Sequence, residues 1–181
     1  MTGNYAGGLF MRVLIAGFTL MILSSGAHAD ALDALTKAET KTYEAWGKLP
    51  LTERTVTFIT APSQGYGLYQ EKQGNLFKPG EKIITYVEPI GYGWKELPGD
   101  MYEMNFVSDL LLKTEKGEVV TDQKGFAKNV LQSHNANMEF SMDFTLNLTG
   151  APAGKYVLTY TIHDISNNQT SSFDQELTIG E

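Results

Sequence analysis

The 181-residue chain contains no cysteine, which excludes disulfides, thiol chemistry and a lipid-bearing cysteine behind an apolar leader. Histidine is almost as scarce: of three, only His134 and His163 lie beyond residue 29. Nucleophilic catalysis needs a Ser, Thr or Cys with a base within hydrogen-bond reach. Two histidines leave few ways to build that, and no G-x-S-x-G turn occurs. Sets of His163, Asp164 and either Ser133 or Ser166 can be drawn. Asp164 is instead expected to make an Asx-turn over Ser166 and Asn167, with His163 facing solvent or packing on a neighbour. Zinc-ligand spacings and a D-x-D-x-D-G calcium loop are both missing. No cofactor, no metal and no enzymatic activity are therefore expected. A copper carrier is the remote alternative, because Met101, Met104, His134, Met138 and Met142 are ligand types that copper prefers. Methionines on an apolar strand face are more simply core filler.

Positive charge is also short. From Met11 the chain reads MRVLIAGFTLMILSSGAHAD, with one basic residue (Arg12), an apolar run from Val13 to Leu23 and small residues ending Ala27-His28-Ala29. This layout predicts a secretory signal peptide over residues 1–29, cleaved after Ala29, with Met11 an alternative start. The apolar run is about half of the ~20 residues that a spanning helix needs, so no membrane span is expected after cleavage. Residues 1–29 hold one basic residue and no acid, so the remaining 152 residues carry 13 basic and 21 acidic side chains, a net charge of −8. No Lys/Arg cluster offsets that sign, which argues against nucleic acid as a partner. About 150 residues suffice for a core without covalent staples.

Helical periodicity is nearly absent as well. The one clear helix is predicted over residues 30–49, with Asp30 and Asp33 as its cap and Leu32, Leu35, Ala38, Tyr43 and Trp46 on one stripe. Leu49-Pro50 ends it. Beyond Pro50 the period becomes two. Thr55–Thr60 (TVTFIT), a short stretch through Leu68, EKIITYVEP, Tyr102–Leu112, Met138–Leu148, KYVLTYTIHD and SSFDQELTI read as strands, and residues 126–134 lean the same way. About eight strands separated by Pro/Gly turns, with no second helical pattern for a βαβ unit, predict an antiparallel β-sandwich over residues 50–181.

Three runs, FKPGEKIITYVEPIGYGW, GAPAGKYVLTYTIHD and FDQELTI, resemble a group of uncharacterised exported bacterial proteins with an immunoglobulin-like sandwich. The likeness covers most of residues 50–180. It implies fold and a periplasmic or secreted location, and it implies no activity.

Two triplets place tyrosine between glycines: GYGLY at 65–69 and PIGYGWK at 89–95. Tyr66, Tyr69, Tyr92 and Trp94 are the candidate binding residues, since exposed Tyr and Trp are favoured anchors. Glycine in a strand also permits a bulge or sharp twist that neighbouring rings then cover, which is the structural alternative. An envelope protein is the expected partner, bound by a non-enzymatic domain. The alternative is an envelope glycan or another small ligand, a glycan because Glu71, Glu88, Glu96, Asp100 and Glu103 fall near these aromatics.

Overall fold

The computed structural model describes residues 25–181, so most of the expected leader lies outside the described residues. The chain divides after Thr42 into two units. Helix α1 (Ser25–Trp46) begins upstream of the expected cap, and Asp30 and Asp33 sit inside it. The run HADALDAL holds no helix breaker, so nothing starts the helix at Asp30. Asp33 instead pairs with Lys37 one turn on, at 2.7 Å. Leu32 and Leu35 are exposed; of the expected stripe, only Trp46 is buried. Gly47 closes the last turn on the Tyr43 carbonyl (3.0 Å).

The Tyr43–Glu181 unit is a β-sandwich of nine strands: β1 (Thr52–Ile59), β2 (Leu76–Phe77), β3 (Lys82–Ile90), β4 (Lys95–Leu97), β5 (Met101–Thr114), β6 (Val119–Ser133), β7 (Met142–Asn147), β8 (Gly154–Asp164) and β9 (Gln169–Ile179). One sheet has the order β1-β3-β7, and the other runs β2-β9-β8-β5 with β4 and β6 on β5. All pairs are antiparallel except β2 with β9. β6 takes one side of β5, while β8 and the short β4 share the other, over Phe106–Thr114 and Met101–Glu103 respectively.

Alternation places the core. Met104, Phe106, Leu110 and Leu112 of β5 and Tyr156, Leu158, Tyr160 and Ile162 of β8 are buried on the inner face, opposite Met142, Phe144 and Leu146 of β7. Each such side chain stabilises the fold by about 1.5–3 kcal/mol relative to exposure. The expected strand at 138–148 forms only from Met142, and Met138 and Phe140 pack on the core from an irregular segment. Residues 126–134 are strand through Ser133, as the end of β6.

β3 is buried on both faces, and this explains the first glycine-tyrosine triplet. Ile83 and Val87 face the main core, whereas Ile84 and Tyr86 form a second cluster with Ile59 on the outer face. No strand forms through Leu68. Residues 61–70 instead make a loop across that outer face, with the Tyr69 ring 4.2 Å from that of Tyr86. Gly67 adopts φ +69°, and its N–H donates to the Tyr86 hydroxyl at 2.7 Å. Ser63 N–H donates to Asp143 Oδ2 at 2.7 Å, tying the loop to β7. Positive φ bends the chain back where a strand would run on.

Candidate functional site

The second triplet lies at one end of the sandwich. Tyr92 is 1% exposed, and its ring meets Trp46 (5.0 Å), Phe106 (5.5 Å) and Trp94 (5.8 Å) edge-on. Trp46 and Trp94 stack at 5.7 Å. The polar atoms of these rings all find carbonyls: Tyr92 Oη and Trp94 Nε1 both donate to Asn137 O (2.9 and 2.8 Å), and Trp46 Nε1 donates to Tyr92 O (2.8 Å). Burial pushes the Tyr92 hydroxyl pKa far up. Both glycines answer to neighbours. A Cβ on Gly91 (φ +76°) would lie 2.3 Å from Pro50 O, and one on Gly93 would lie 2.7 Å from Asn167 Cβ. Asp164, buried, accepts from Gly93 N–H (2.7 Å) and Ser166 N–H (2.8 Å), the latter closing the expected Asx-turn. Burial raises its pKa despite these amides.

Of the four candidate residues, Tyr92 and Trp94 are thus in contact with each other, and Tyr92 is spent in the core. Trp94 is half-buried, with the 41% exposed Tyr43 beside it at 5.7 Å. Tyr66 lies in the other loop, where its hydroxyl accepts from Arg54 Nη1 (2.9 Å), and Tyr69 stacks on Tyr86. Neither Tyr66 nor Tyr69 makes a ring contact with Tyr92 or Trp94.

Two of the carboxylates near these aromatics, Glu88 and Glu103, have local duties. Glu88 is buried and accepts from Tyr86 Oη (2.7 Å) and Thr55 Oγ1 (2.9 Å). Burial, with Glu88 beside it, pushes the Tyr86 hydroxyl up to about 12. Glu103 accepts from Gln132 (2.8 Å). Met104 and Met142 are core residues, and His134 is exposed beside Asp100 O (3.2 Å). Among the described residues no three His, Cys, Asp or Glu side chains converge on a metal position.

Two features depend on contacts too distant in sequence to be read there. The first is a groove of about 710 Å³ between the start of β6 and the β7–β8 loop. Val120, Thr121 and Gln123 form one wall, and Leu146, Leu148 and Tyr156 contribute apolar surface. Thr121 and Gln123 pair with Leu112 and Leu110, so polar side chains stand on the inner face of β6 where core residues would close the sandwich. On the same side both sheets end in a strand with one neighbour, β6 on β5 and β7 on β3.

The second feature lies on the outer face of the larger sheet. His163 Nε2 is 3.0 Å from Asp109 Oδ2, and its Nδ1 is 3.2 Å from Thr170 Oγ1. Asp109 also accepts from Gly125 N–H (2.8 Å) and Lys124 Nζ (3.2 Å). Gly125 (φ +63°) sits in a bulge where residues 124–126 face Asp109 alone, so Asp109 holds the kink in β6. Ser166 and Ser133 have other partners: Ser166 Oγ donates to Glu103 O, and Ser133 Oγ accepts from Asn135 N–H.

Burial alone would raise the Asp109 pKa, but donation from His163, Gly125 and Lys124 overrides it and holds the carboxyl at about 2, below its ordinary 3.8. A lowered folded pKa contributes stability that is present above the unfolded pKa and is lost as pH falls through the folded one. Asp109 is therefore expected to add about 2 kcal/mol at neutral pH. Urea titrations should show the wild-type advantage over Asp109→Asn shrinking between pH 3.8 and about 2. An advantage unchanged at acid pH would contradict the clamp.

No family model and no curated protein matches the chain. Among solved structures the chain is similar to the CARDB domain of a Pyrococcus furiosus protein in complex with di-metal ions, at 13% identity and a TM-score of 0.32 over 73% of this chain and 93% of that one.

Proposed function

We propose that this chain is a non-enzymatic binding module of the bacterial envelope, exported by its leader and acting through contact with another protein. The observation that carries this reading is the groove beside the free edges of β6 and β7. Backbone groups on an edge strand can accept a partner strand, and an adjoining amphipathic groove can receive its side chains. Sandwich domains are scaffolds whose function lies in loops and edges. A photo-crosslinking residue at Val120, used in envelope extracts of the native organism, should trap one discrete partner. The same residue at Glu176, on the opposite edge region, should not. Equal trapping at both positions, or none at Val120, would remove the groove as the interface. Export is checked separately, by N-terminal sequencing of the secreted chain for Asp30.

The glycan reading rests on the accessible part of Trp94 beside Tyr43. Aromatic faces of this kind hold sugar rings, and binding there would quench tryptophan emission. Titration with soluble peptidoglycan fragments that leaves emission unchanged at millimolar ligand would eliminate it.

A further inference from the structure

Asp109, His163 and Thr170 stand on three adjacent strands and on one face of the sheet. His163 is directly opposite Thr170 across β8–β9, and Asp109 on β5 is its diagonal neighbour across β5–β8. The order of donors and acceptors follows from the carboxylate. Asp109, 14% exposed at its side chain, carries a full charge and is held in place by Gly125 N–H and Lys124. A neutral His163 must therefore present Nε2–H to Oδ2, because two acceptors cannot share that 3.0 Å contact. Nδ1 is then a lone pair, and the hydrogen on its 3.2 Å line to Thr170 is the hydroxyl's own. A hydroxyl that donates to an imidazole, itself oriented by a carboxylate, is an activated nucleophile. The other hydroxyls of this face lack such a base: Thr161 Oγ1 meets only Ser172 Oγ (3.2 Å), and Thr159 donates to Asp174.

We propose that Thr170 is an activated hydroxyl and a covalent modification site for small activated acyl esters. As Thr170 Oγ1 bonds to the acyl carbon, its proton moves to His163 Nδ1, and Asp109 stabilises the imidazolium. The bond between the acyl carbon and the leaving oxygen breaks. The leaving group departs with that electron pair and takes the proton from the ring. The products are a threonyl ester, a free phenol or alcohol, and neutral His163.

The test is acetylation of the full chain by 4-nitrophenyl acetate in mildly alkaline buffer, mapped by peptide mass spectrometry. Hydroxylamine separates the ester, which it removes, from lysine amides, which it does not. Base assistance contributes roughly 100-fold or more in built active sites; on this open face, Thr170 is expected to acquire at least about ten times the ester found at Thr161. His163→Gln should lower Thr170 to the level of Thr161. Asp109→Asn should lower it partly, since the ring is then free to turn. Thr170→Ser should keep the reactivity, because a primary hydroxyl meets the same nitrogen with less crowding. Equal labelling of Thr170 and Thr161 in the wild-type chain would overturn the proposal without recourse to any variant. So would undiminished labelling in His163→Gln.

Discussion

Replacing Gly91 by alanine is expected to destabilise the sandwich by about 3 kcal/mol or more. Two separate costs meet at this position. The backbone φ of +76° is left-handed, where a Cβ costs about 1–2 kcal/mol. The added Cβ would also lie 2.3 Å from the Pro50 carbonyl oxygen and 2.9 Å from its carbon. Those are backbone atoms of the segment that leads into β1, and β1 begins pairing at once, Thr52 against Ile90. Neither side can retreat without breaking that register. Gly67 supplies the comparison, because its φ is also positive (+69°) and nothing stands within 4 Å of its would-be Cβ. Gly67→Ala should therefore cost only the conformational part. Denaturation midpoints of both variants, measured side by side, separate the two costs. A Gly91→Ala no less stable than Gly67→Ala would mean that the close approach of Pro50 is relieved without strain. Gly93 falls between: its obstacle is the Asn167 side chain, so Asn167→Gly should restore much of what Gly93→Ala loses.

Truncation of Tyr92 to alanine carries the other large effect, about 3–5 kcal/mol, the range for removing a buried ring. The ring is enclosed by Trp46, Trp94, Phe106 and Phe140. Its loss would open a cavity and leave Asn137 O with one donor instead of two. Trp94→Ala should cost less, because Trp94 is half-exposed and its nearest partners, Trp46 and Tyr92, keep each other. The contrast has a functional use. A binding defect in Tyr92→Ala is inseparable from unfolding, whereas one in a folded Trp94→Ala reports on the surface itself. Equal stability losses in the two variants would contradict the assignment of Tyr92 to the core and Trp94 to its rim. Tryptophan emission gives a second readout, since Tyr92→Ala should expose Trp46 and shift its emission to the red.

The period-two runs made most of the strands legible. Tyr102–Leu112, KYVLTYTIHD and SSFDQELTI became β5, β8 and β9 because alternation records, residue by residue, which face meets the core. The same rule misread residues 65–69. Their aromatic and apolar residues do meet a hydrophobic surface, but the surface is the outer face of β3, and the chain reaches it as a loop. Alternation cannot show that a strand is buried twice. β3 does carry a trace of it, since IITYVE is nearly continuous in buried residues.

Candidate binding residues were harder to place. Tyr92 and Trp94 share a triplet and a neighbourhood, yet one is core and the other is rim. Spacing gives a side chain's direction along a strand, and the glycines at 91 and 93 end the strand and remove that guide. The unread features are the ones made by long-range pairing. Asp109 and His163 are 54 residues apart, and the groove joins residues 114–123 to 146–156. Asp164 is adjacent to His163 in sequence, but the pleat turns successive side chains to opposite faces, and Asp164 points inward.

By itself, the amino-acid sequence determined the class of this protein: a cysteine-free, acidic chain whose alternating residues require two sheets facing one core. That much is local, because the period of the pattern matches the period of the backbone. Which glycine-tyrosine triplet covers a sheet and which plugs its end was decided only by the tertiary structure. So were the free edges of β6 and β7 and the hydroxyl that faces His163. Each depends on which strands become neighbours. That choice belongs to the packing of the whole chain and leaves no mark in any single stretch of it.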